Sequence, residues 1–187
     1  MPRACEPMMP VHINSRIYKW PLIFMVVVVV VTGFYLPGGV VLSVTPVKGG
    51  APLAEMYLKA GERFTLRYYH SVENAPIWET HSVDSSGRIY IEEERYQKFG
   101  AGMGKMPGVG HMVRQGPYEV IEAMHMPTGD FVLRVGSPGV DHTLIWRGHE
   151  VNLSRIAPHV AVRFSARPIS WLRRMADQRL FPLTKKG

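Results

Sequence analysis

A long stretch without charge near the N-terminus limits what this chain can fold into. No charged residue occurs between Lys19 and Lys48, and residues 22–31 form an unbroken apolar run that ends in six valines. Residues 20–36 approach the roughly 17–25 residues that a helix needs to cross about 30 Å of hydrocarbon, and Trp20 and Tyr35 suit the two interfaces. The stretch therefore predicts a transmembrane signal anchor over residues 20–36.

The charges before the apolar run predict its orientation. Three basic residues and one acidic residue precede it, namely Arg3, Arg16, Lys19 and Glu6. The positive-inside rule then keeps residues 1–19 in the cytoplasm and delivers the remainder across the bacterial inner membrane to the periplasm. Two alternatives stay open: a signal peptide that is cleaved near Gly33 or Gly39, although the small-residue pattern of a cleavage site is poorly matched, and a buried core helix.

Cysteine usage excludes several kinds of chemistry in the exported part. Cys5 is the only cysteine, and it precedes the apolar run. The exported part therefore has no thiol for a disulfide, a thiolate metal site or a cysteine nucleophile.

The positive charge is concentrated at the C-terminal end. Residues 48–154 contain 11 basic and 13 acidic residues, whereas residues 155–187 contain eight basic residues and one acidic residue. The predicted tail, residues 167–187, carries apolar residues at helical spacing and is expected to form a short amphipathic helix. The apolar stripe consists of Ile169, Leu172, Met175, Ala176 and Leu180. Such a helix can lie on anionic lipid, dock on a membrane partner or cover the domain's own core, and periodicity does not choose between them. A nucleic-acid partner is not expected on the exported side.

The body, residues 40–166, predicts an all-β fold, a small antiparallel β-sandwich or barrel. Short apolar or alternating runs recur there, separated by turn residues. They are residues 40–47, 62–70, 77–83, 88–94, 118–124, 131–135, 142–146 and 160–164. Residues 85–87 and 128–130 have the composition of hairpin turns. No long helical periodicity appears before the tail.

Alternation assigns strand faces and a candidate side-chain pair. In residues 62–70 the core face carries Phe64, Leu66, Tyr68 and His70, because alternate residues of a strand share a face. Residues 88–94 place Ile89, Ile91 and Glu93 on one face by the same rule. His70 and Glu93 would then both extend an apolar face, which makes a hydrogen-bonded pair conceivable. The alternative is that both lie solvated at the rim.

Other candidate chemistry is weak. His70 and Ser71 are neighbours on a predicted strand, so their side chains point to opposite faces and do not form a catalytic dyad. Glu79 and His81 share a strand face and are the best local start for a metal site, although no ligand spacing supports one. The glycine-rich segment that contains Gly100 and Gly102 fits neither a phosphate-binding loop nor a dinucleotide fingerprint.

Two motifs resemble a known family. The first is Tyr69-His70-Ser71-Val72-Glu73 followed by Pro76 and Glu79, and the second runs from Glu93 through Arg95, Tyr96, Gln97 and Phe99 to Gly100-Ala101-Gly102. Together they resemble the bacterial family known as domain of unknown function 1850. The resemblance implies a small exported protein associated with tripartite periplasmic (TRAP) transporters of the TAXI type. It carries over no catalytic residue and no cofactor.

The expected function is therefore a non-enzymatic, membrane-anchored accessory or binding module. Its expected partners are the membrane subunits or the solute receptor of a TAXI-type TRAP transporter. The motif residues that we expect to contribute to binding are His70, Ser71, Glu73, Glu79, Glu93, Gly100 and Gly102. The alternative is a small-ligand or metal-binding periplasmic domain built around His70, Glu79 and Glu93.

Overall fold

The computed structural model describes residues 19–70, 73–97 and 109–180. Its helices are α1 (Lys19–Tyr35), α2 (Leu153–Ile156) and α3 (Trp171–Leu180). Its strands are β1 (Pro37–Pro46), β2 (Ala54–Leu58), β3 (Arg63–Tyr69), β4 (Pro76–Val83), β5 (Ile89–Tyr96), β6 (His111–Gln115), β7 (Tyr118–Glu122), β8 (Met126–Pro127), β9 (Phe131–Arg134), β10 (Thr143–Trp146), β11 (His149–Asn152) and β12 (Ala161–Ser170).

The strands form two antiparallel sheets, which confirms the predicted all-β class. Sheet A has the order β2-β1-β12-β9, and sheet B has the order β11-β10-β3-β4-β5-β7-β6, with β8 paired to β5. The long β1–β12 pairing brings together the two ends of the body, since Val40 lies opposite Pro168 and Val44 opposite Phe164. The first strand of the body is thereby held by the last.

One apolar core fills the space between the sheets. β1 contributes Val40, Leu42 and Val44, all at most 1% exposed, because the core-facing residues of a strand alternate. Four near-parallel rings form an aromatic stack at the centre, made of Phe64, His81, Phe131 and Phe164. The first two rings belong to sheet B and the last two to sheet A. The stack therefore joins the two layers of a sandwich.

One of the two predicted hairpin turns is confirmed. Residues 85–87 join the paired strands β4 and β5. Gly87 has a φ of +86°, and a Cβ there would lie 2.6 Å from the backbone oxygen of Ala166 in sheet A. A side chain at this position would therefore be strained and would collide with the opposite sheet.

The second predicted hairpin turn, residues 128–130, is wrong. It leads from β8, which pairs with β5 in sheet B, to β9, which pairs with β12 in sheet A. The segment is thus a crossing between sheets. Turn composition shows that the chain reverses or bends, but the pairing of the flanking strands depends on contacts distant in sequence.

The predicted transmembrane assignment of residues 20–36 is not confirmed. A helix is present at Lys19–Tyr35, but no helix in the described part of the chain is both long enough and apolar enough to cross a membrane. At 1.5 Å per residue its 17 residues extend about 25 Å, less than the roughly 30 Å of a bilayer core.

Helix α3 begins later than the helical periodicity indicated and packs at the base of α1. Ile169, placed by periodicity on the helix's apolar stripe, lies instead in β12 and is buried. Gly33 of α1 is buried, and a Cβ there would lie 2.8 Å from Cγ of Leu172. The Trp171 backbone N–H donates to the Leu36 oxygen at 2.8 Å. Helix α3 therefore packs against the C-terminal end of α1 and is hydrogen-bonded to the residue that joins α1 to β1.

Candidate functional site

Two described residues of the first motif, His70 and Glu73, lie in the connection between β3 and β4. The Asn74 N–H donates to the His70 oxygen at 2.9 Å, and the His70 N–H donates to the Ala75 oxygen at 2.9 Å. The Glu73 N–H approaches His70 Nδ1 at 3.4 Å, so the imidazole accepts from its own turn. His70 and Glu73 therefore lie together at one end of sheet B. Ser71 lies outside the described residues.

A β-bulge changes which glutamates of β5 face inward. His81 pairs with Ile91, but Thr80 pairs with Glu93, so Glu92 is an extra residue on β5. Such an insertion reverses the alternation of every following residue. Ile89 and Ile91 are buried as predicted, but beyond the bulge Glu94 rather than Glu93 shares their face.

The His70–Glu93 pair, which regular alternation made conceivable, does not form in the structure. Glu93 Oε1 accepts from Arg95 at 3.1 Å on the opposite face of β5. His70 accepts within its own turn instead. The assumption of regular alternation along β5 caused this error, because it counted across the bulge.

Glu79 belongs to a cluster that the sequence motifs did not assemble. Glu79 and Glu94 lie directly opposite each other on β4 and β5. The Tyr68 hydroxyl donates to Glu79 Oε1 at 2.8 Å, and the Tyr96 hydroxyl donates to Glu94 Oε2. We call these four residues, Tyr68, Glu79, Glu94 and Tyr96, the acidic–tyrosine cluster.

Sequence reasoning missed three members of this cluster as site residues. Tyr68 was placed on the core face, but Glu94 and Tyr96 were not selected as inward-facing partners of Glu79. An aromatic residue two positions after a glutamate was the available signal, since Glu94 and Tyr96 share a face. It could not be used without knowing where the bulge lies.

Burial sets the protonation behaviour of the cluster. Burial raises the pKa of the Glu79 carboxyl above 4.5, the hydrogen bond from Tyr68 opposes the rise, and the Glu94 carboxylate adds to it. Burial and the adjacent carboxylates also raise the pKa of Tyr68 and of Tyr96 well above 10. The phenols therefore stay protonated and act as donors that orient the two carboxylates.

The surroundings of the cluster are apolar and aromatic. Ile77, Tyr96 and Ile121 form a second, smaller buried cluster, against which Tyr68 and Met124 pack. Tyr68 also lies over the His142 ring, with centroids 5.2 Å apart. The carboxylate pair is thus held by packing on several sides, which suits a fixed structural or binding role.

The second motif starts beside the first. The Gln97 N–H approaches the Pro76 oxygen at 3.4 Å, so the end of β5 meets the start of β4 just after the His70–Glu73 turn. Gly100 and Gly102 lie outside the described residues. The two motifs therefore approach each other at one end of sheet B, which we call the motif end.

The histidine considered for a metal site lies in the core. His81 is 3% exposed and stacks on Phe64 and Phe131 at centroid distances of 5.2 and 5.3 Å. Among the described residues, no group of three or more His, Cys, Asp or Glu side chains could hold a metal ion. Glu79 and His81 do share a face, as predicted, but their partners are Tyr68 and aromatic rings.

Glu79→Gln is expected to stabilise the protein at neutral pH. The pKa of Glu79 is higher in the folded state than in the unfolded state, so protonation of Glu79 stabilises the folded state. This contribution to stability is fully present below about pH 4.5 and is lost as the pH rises through the folded-state pKa. Glutamine keeps the acceptor for Tyr68 but removes the charge that faces Glu94. Chemical denaturation of the full chain at pH 7.5 and pH 4 should show a higher free energy of unfolding than the wild type at pH 7.5 and no gain at pH 4.

Glu55→Gln is the matched control for this prediction. Glu55 is an exposed carboxylate of β2 that accepts a hydrogen bond from Ser43 at 3.1 Å. The Glu55→Gln substitution should leave the free energy of unfolding nearly unchanged at both pH values. A loss of stability in Glu79→Gln at pH 7.5 would show that the charged pair is favourable in the folded state.

Comparison with known proteins supports the resemblance seen in the motifs. Residues 64–153 match the family model described as domain of unknown function 1850 (DUF1850). The match runs from β3 to the start of α2 and so includes the motif end and the acidic–tyrosine cluster. Neither a curated protein nor a solved structure matches the chain.

Proposed function

Taking residues 64–153 as a DUF1850-like domain, we propose that the chain is a membrane-attached, non-enzymatic accessory or binding module of a TAXI-type TRAP transporter. In this proposal α1 is the bacterial inner-membrane segment, and the β body lies in the periplasm. The motif end meets the transporter's membrane subunits or its solute receptor.

The exposed surface of α1 is the observation that carries membrane attachment. Every large apolar side chain from Leu22 to Val31 is 41–71% exposed, and Trp20 and Tyr35 at its ends are 77% and 85% exposed. A helix that is apolar on all sides needs an apolar environment on all sides. Transferring this surface into lipid would contribute on the order of 10 kcal/mol. Bilayers adapt to a helix that is a few ångströms short by local thinning and by snorkelling of flanking residues.

The binding role is supported by the character of the motif end. His70 and Glu73 form a tight polar turn there, and the acidic–tyrosine cluster lies on the neighbouring strands. Packed, hydrogen-bonded side chains of this kind hold a surface in one shape. Association with a transporter comes from the family resemblance, and fold alone does not specify it.

The side-chain chemistry of the described residues supports binding more than catalysis. The cluster phenols are held protonated, which makes them poor bases and poor nucleophiles. His70 Nδ1 accepts from its own turn, so that nitrogen is not directed at a hydroxyl group. These observations favour a non-enzymatic module.

The geometry does not favour the alternative site around His70, Glu79 and Glu93. Glu79 faces inward with Glu94, whereas Glu93 points to the other face of β5 and pairs with Arg95. A single small ligand or ion would not contact both glutamates.

Co-purification tests the partner proposal. The full chain, crosslinked in native membranes and then solubilised in detergent, is expected to retain transporter membrane subunits or the solute receptor. Glu73→Ala should lower the recovered amount about fivefold, as expected for one lost polar contact of about 1 kcal/mol. Recovery would be measured by quantitative mass spectrometry.

Arg88→Ala provides the matched control for Glu73→Ala. Arg88 is exposed in the β4–β5 turn, at the opposite end of sheet B. It should leave recovery unchanged. Absence of every transporter subunit from the wild-type sample would contradict the partner proposal.

A further inference from the structure

A cavity lies where α1 enters the β body. It has a volume of about 610 Å³ and is bordered by the end of α1, the start of β1, the end of β12 and α3. Most of its lining is apolar and includes Phe34, Leu36, Val40 and Ile169. The cavity therefore offers an apolar wall that continues directly from the apolar surface of α1.

Two cationic side chains line the same cavity. Lys59, which follows β2, is exposed, and Arg174 of α3 is half-buried. No acidic residue belongs to the lining formed by the described residues. A negatively charged group would therefore meet two positive charges there without a competing carboxylate.

Close backbone packing shapes the cavity and places Arg174. A Cβ at Gly38 would lie 2.4 Å from the Ser170 backbone oxygen, and Arg174 Nη1 donates to the Gly38 oxygen at 2.7 Å. Because Gly38 has no side chain, β1 can pack closely against the junction of β12 and α3. The hydrogen bond to the Gly38 oxygen holds the Arg174 guanidinium at this contact. The remaining guanidinium donors can serve an anionic group.

We infer that this cavity binds the headgroup of an anionic phospholipid, with an acyl chain along the apolar wall beside α1. The inference rests on the proposed membrane attachment, which places the base of α1 at headgroup level. Tyr35 and Trp171, 85% and 43% exposed, flank the base of α1, and such rings favour that level. Among the described residues of the lining, a zwitterionic headgroup would find no carboxylate for its ammonium group.

The test uses the full chain in neutral detergent with defined lipids added. Phosphatidylglycerol should raise the melting temperature of the wild-type protein and remain bound in native mass spectrometry, whereas phosphatidylcholine should do neither. Lys59→Gln should weaken phosphatidylglycerol retention about fivefold, the effect expected of one basic residue at an anionic lipid surface. Arg174→Gln should weaken it at least as much.

Lys48→Gln provides the matched control for the lysine change. Lys48 is exposed just beyond the far end of β1. Residues 41–47 separate it from Val40, the nearest β1 residue of the cavity wall, by roughly 25 Å. It should bind phosphatidylglycerol like the wild type. Because Arg174→Gln also removes the contact with Gly38, the comparison of Lys59→Gln with Lys48→Gln decides the result if Arg174→Gln fails to fold.

Three results would overturn the inference: equal retention of phosphatidylcholine and phosphatidylglycerol, equal losses in Lys59→Gln and Lys48→Gln, or the same melting shift with inorganic phosphate alone. Extraction of the chain from native membranes by alkaline carbonate reports separately on the proposed function. If the chain stays in the membrane during carbonate treatment but does not prefer phosphatidylglycerol over phosphatidylcholine, only the lipid-site inference is contradicted. If carbonate releases the chain from the membrane while the preference for phosphatidylglycerol remains, the proposed membrane attachment is contradicted.

Discussion

Replacing Phe164 by alanine is expected to lower the free energy of unfolding by about 3–5 kcal/mol. Phe164 is fully buried, and its ring stacks on Phe131 at 4.6 Å and on Phe64 at 6.5 Å between centroids. The change would leave a void where β12 of sheet A meets β3 of sheet B. Denaturant unfolding of the full chain, followed by tryptophan fluorescence, would measure the loss.

Val132→Ala serves as the control on the neighbouring strand. Val132 of β9 is 52% exposed, so truncating it should cost less than about 1 kcal/mol. Similar losses for the two variants would show that the aromatic stack does not join the sheets in solution.

Acidification is expected to destabilise the protein through His81. Burial lowers the pKa of His81 from 6.5 to about 4. Between these values the unfolded chain binds more protons, so stability is full above about pH 6.5 and is lost as the pH falls towards 4. The shift corresponds to about 3 kcal/mol. His81→Phe, which keeps a ring in the aromatic stack, should remove most of this loss.

The measurement is the free energy of unfolding of the full chain at intervals between pH 7 and pH 4. His111→Phe is the control, because His111 lies exposed on β6 and should leave the slope of the wild type unchanged. An identical slope in His81→Phe and the wild type would show that His81 is not the buried titrating group.

Local pattern was sufficient to predict most strands and the faces of β3. Phe64 and Leu66 are 1% exposed, while Tyr69 of the opposite face is 36% exposed. The prediction of strand faces succeeds because a strand with one buried face must alternate apolar and polar residues, whichever strands it pairs with. The hairpin at residues 85–87 was predictable for a similar reason, since its strands are neighbours in the chain.

Features that depend on distant pairing were not predictable from pattern. The bulge at Glu92 is stabilised by contacts across strands, including the Ser82 hydroxyl, which donates to Glu92 Oε1 at 2.6 Å. Its consequence is that Glu94, and not Glu93, meets Glu79. The start of α3 was misjudged in the same way, because pairing with β1 extends β12 to Ser170.

The charge distribution suits a body that faces water and a base that faces lipid. Residues 48–154 are slightly acidic, whereas the basic excess begins at Arg155 in α2 and continues through β12 into α3, which packs at the foot of α1. Positive charge is thus placed beside the apolar helix. Our proposals for membrane attachment and for a lipid headgroup site both follow from this arrangement.

The central claim, that α1 separates residues 1–19 from a periplasmic body, can be tested with the chain's single cysteine, Cys5. In intact spheroplasts a membrane-impermeant maleimide should leave Cys5 unlabelled. Lys48→Cys in a Cys5→Ser background should be labelled under the same conditions, and both should react after detergent treatment. Labelling of Cys5 together with protection of position 48, or protection of both positions, would contradict the claim.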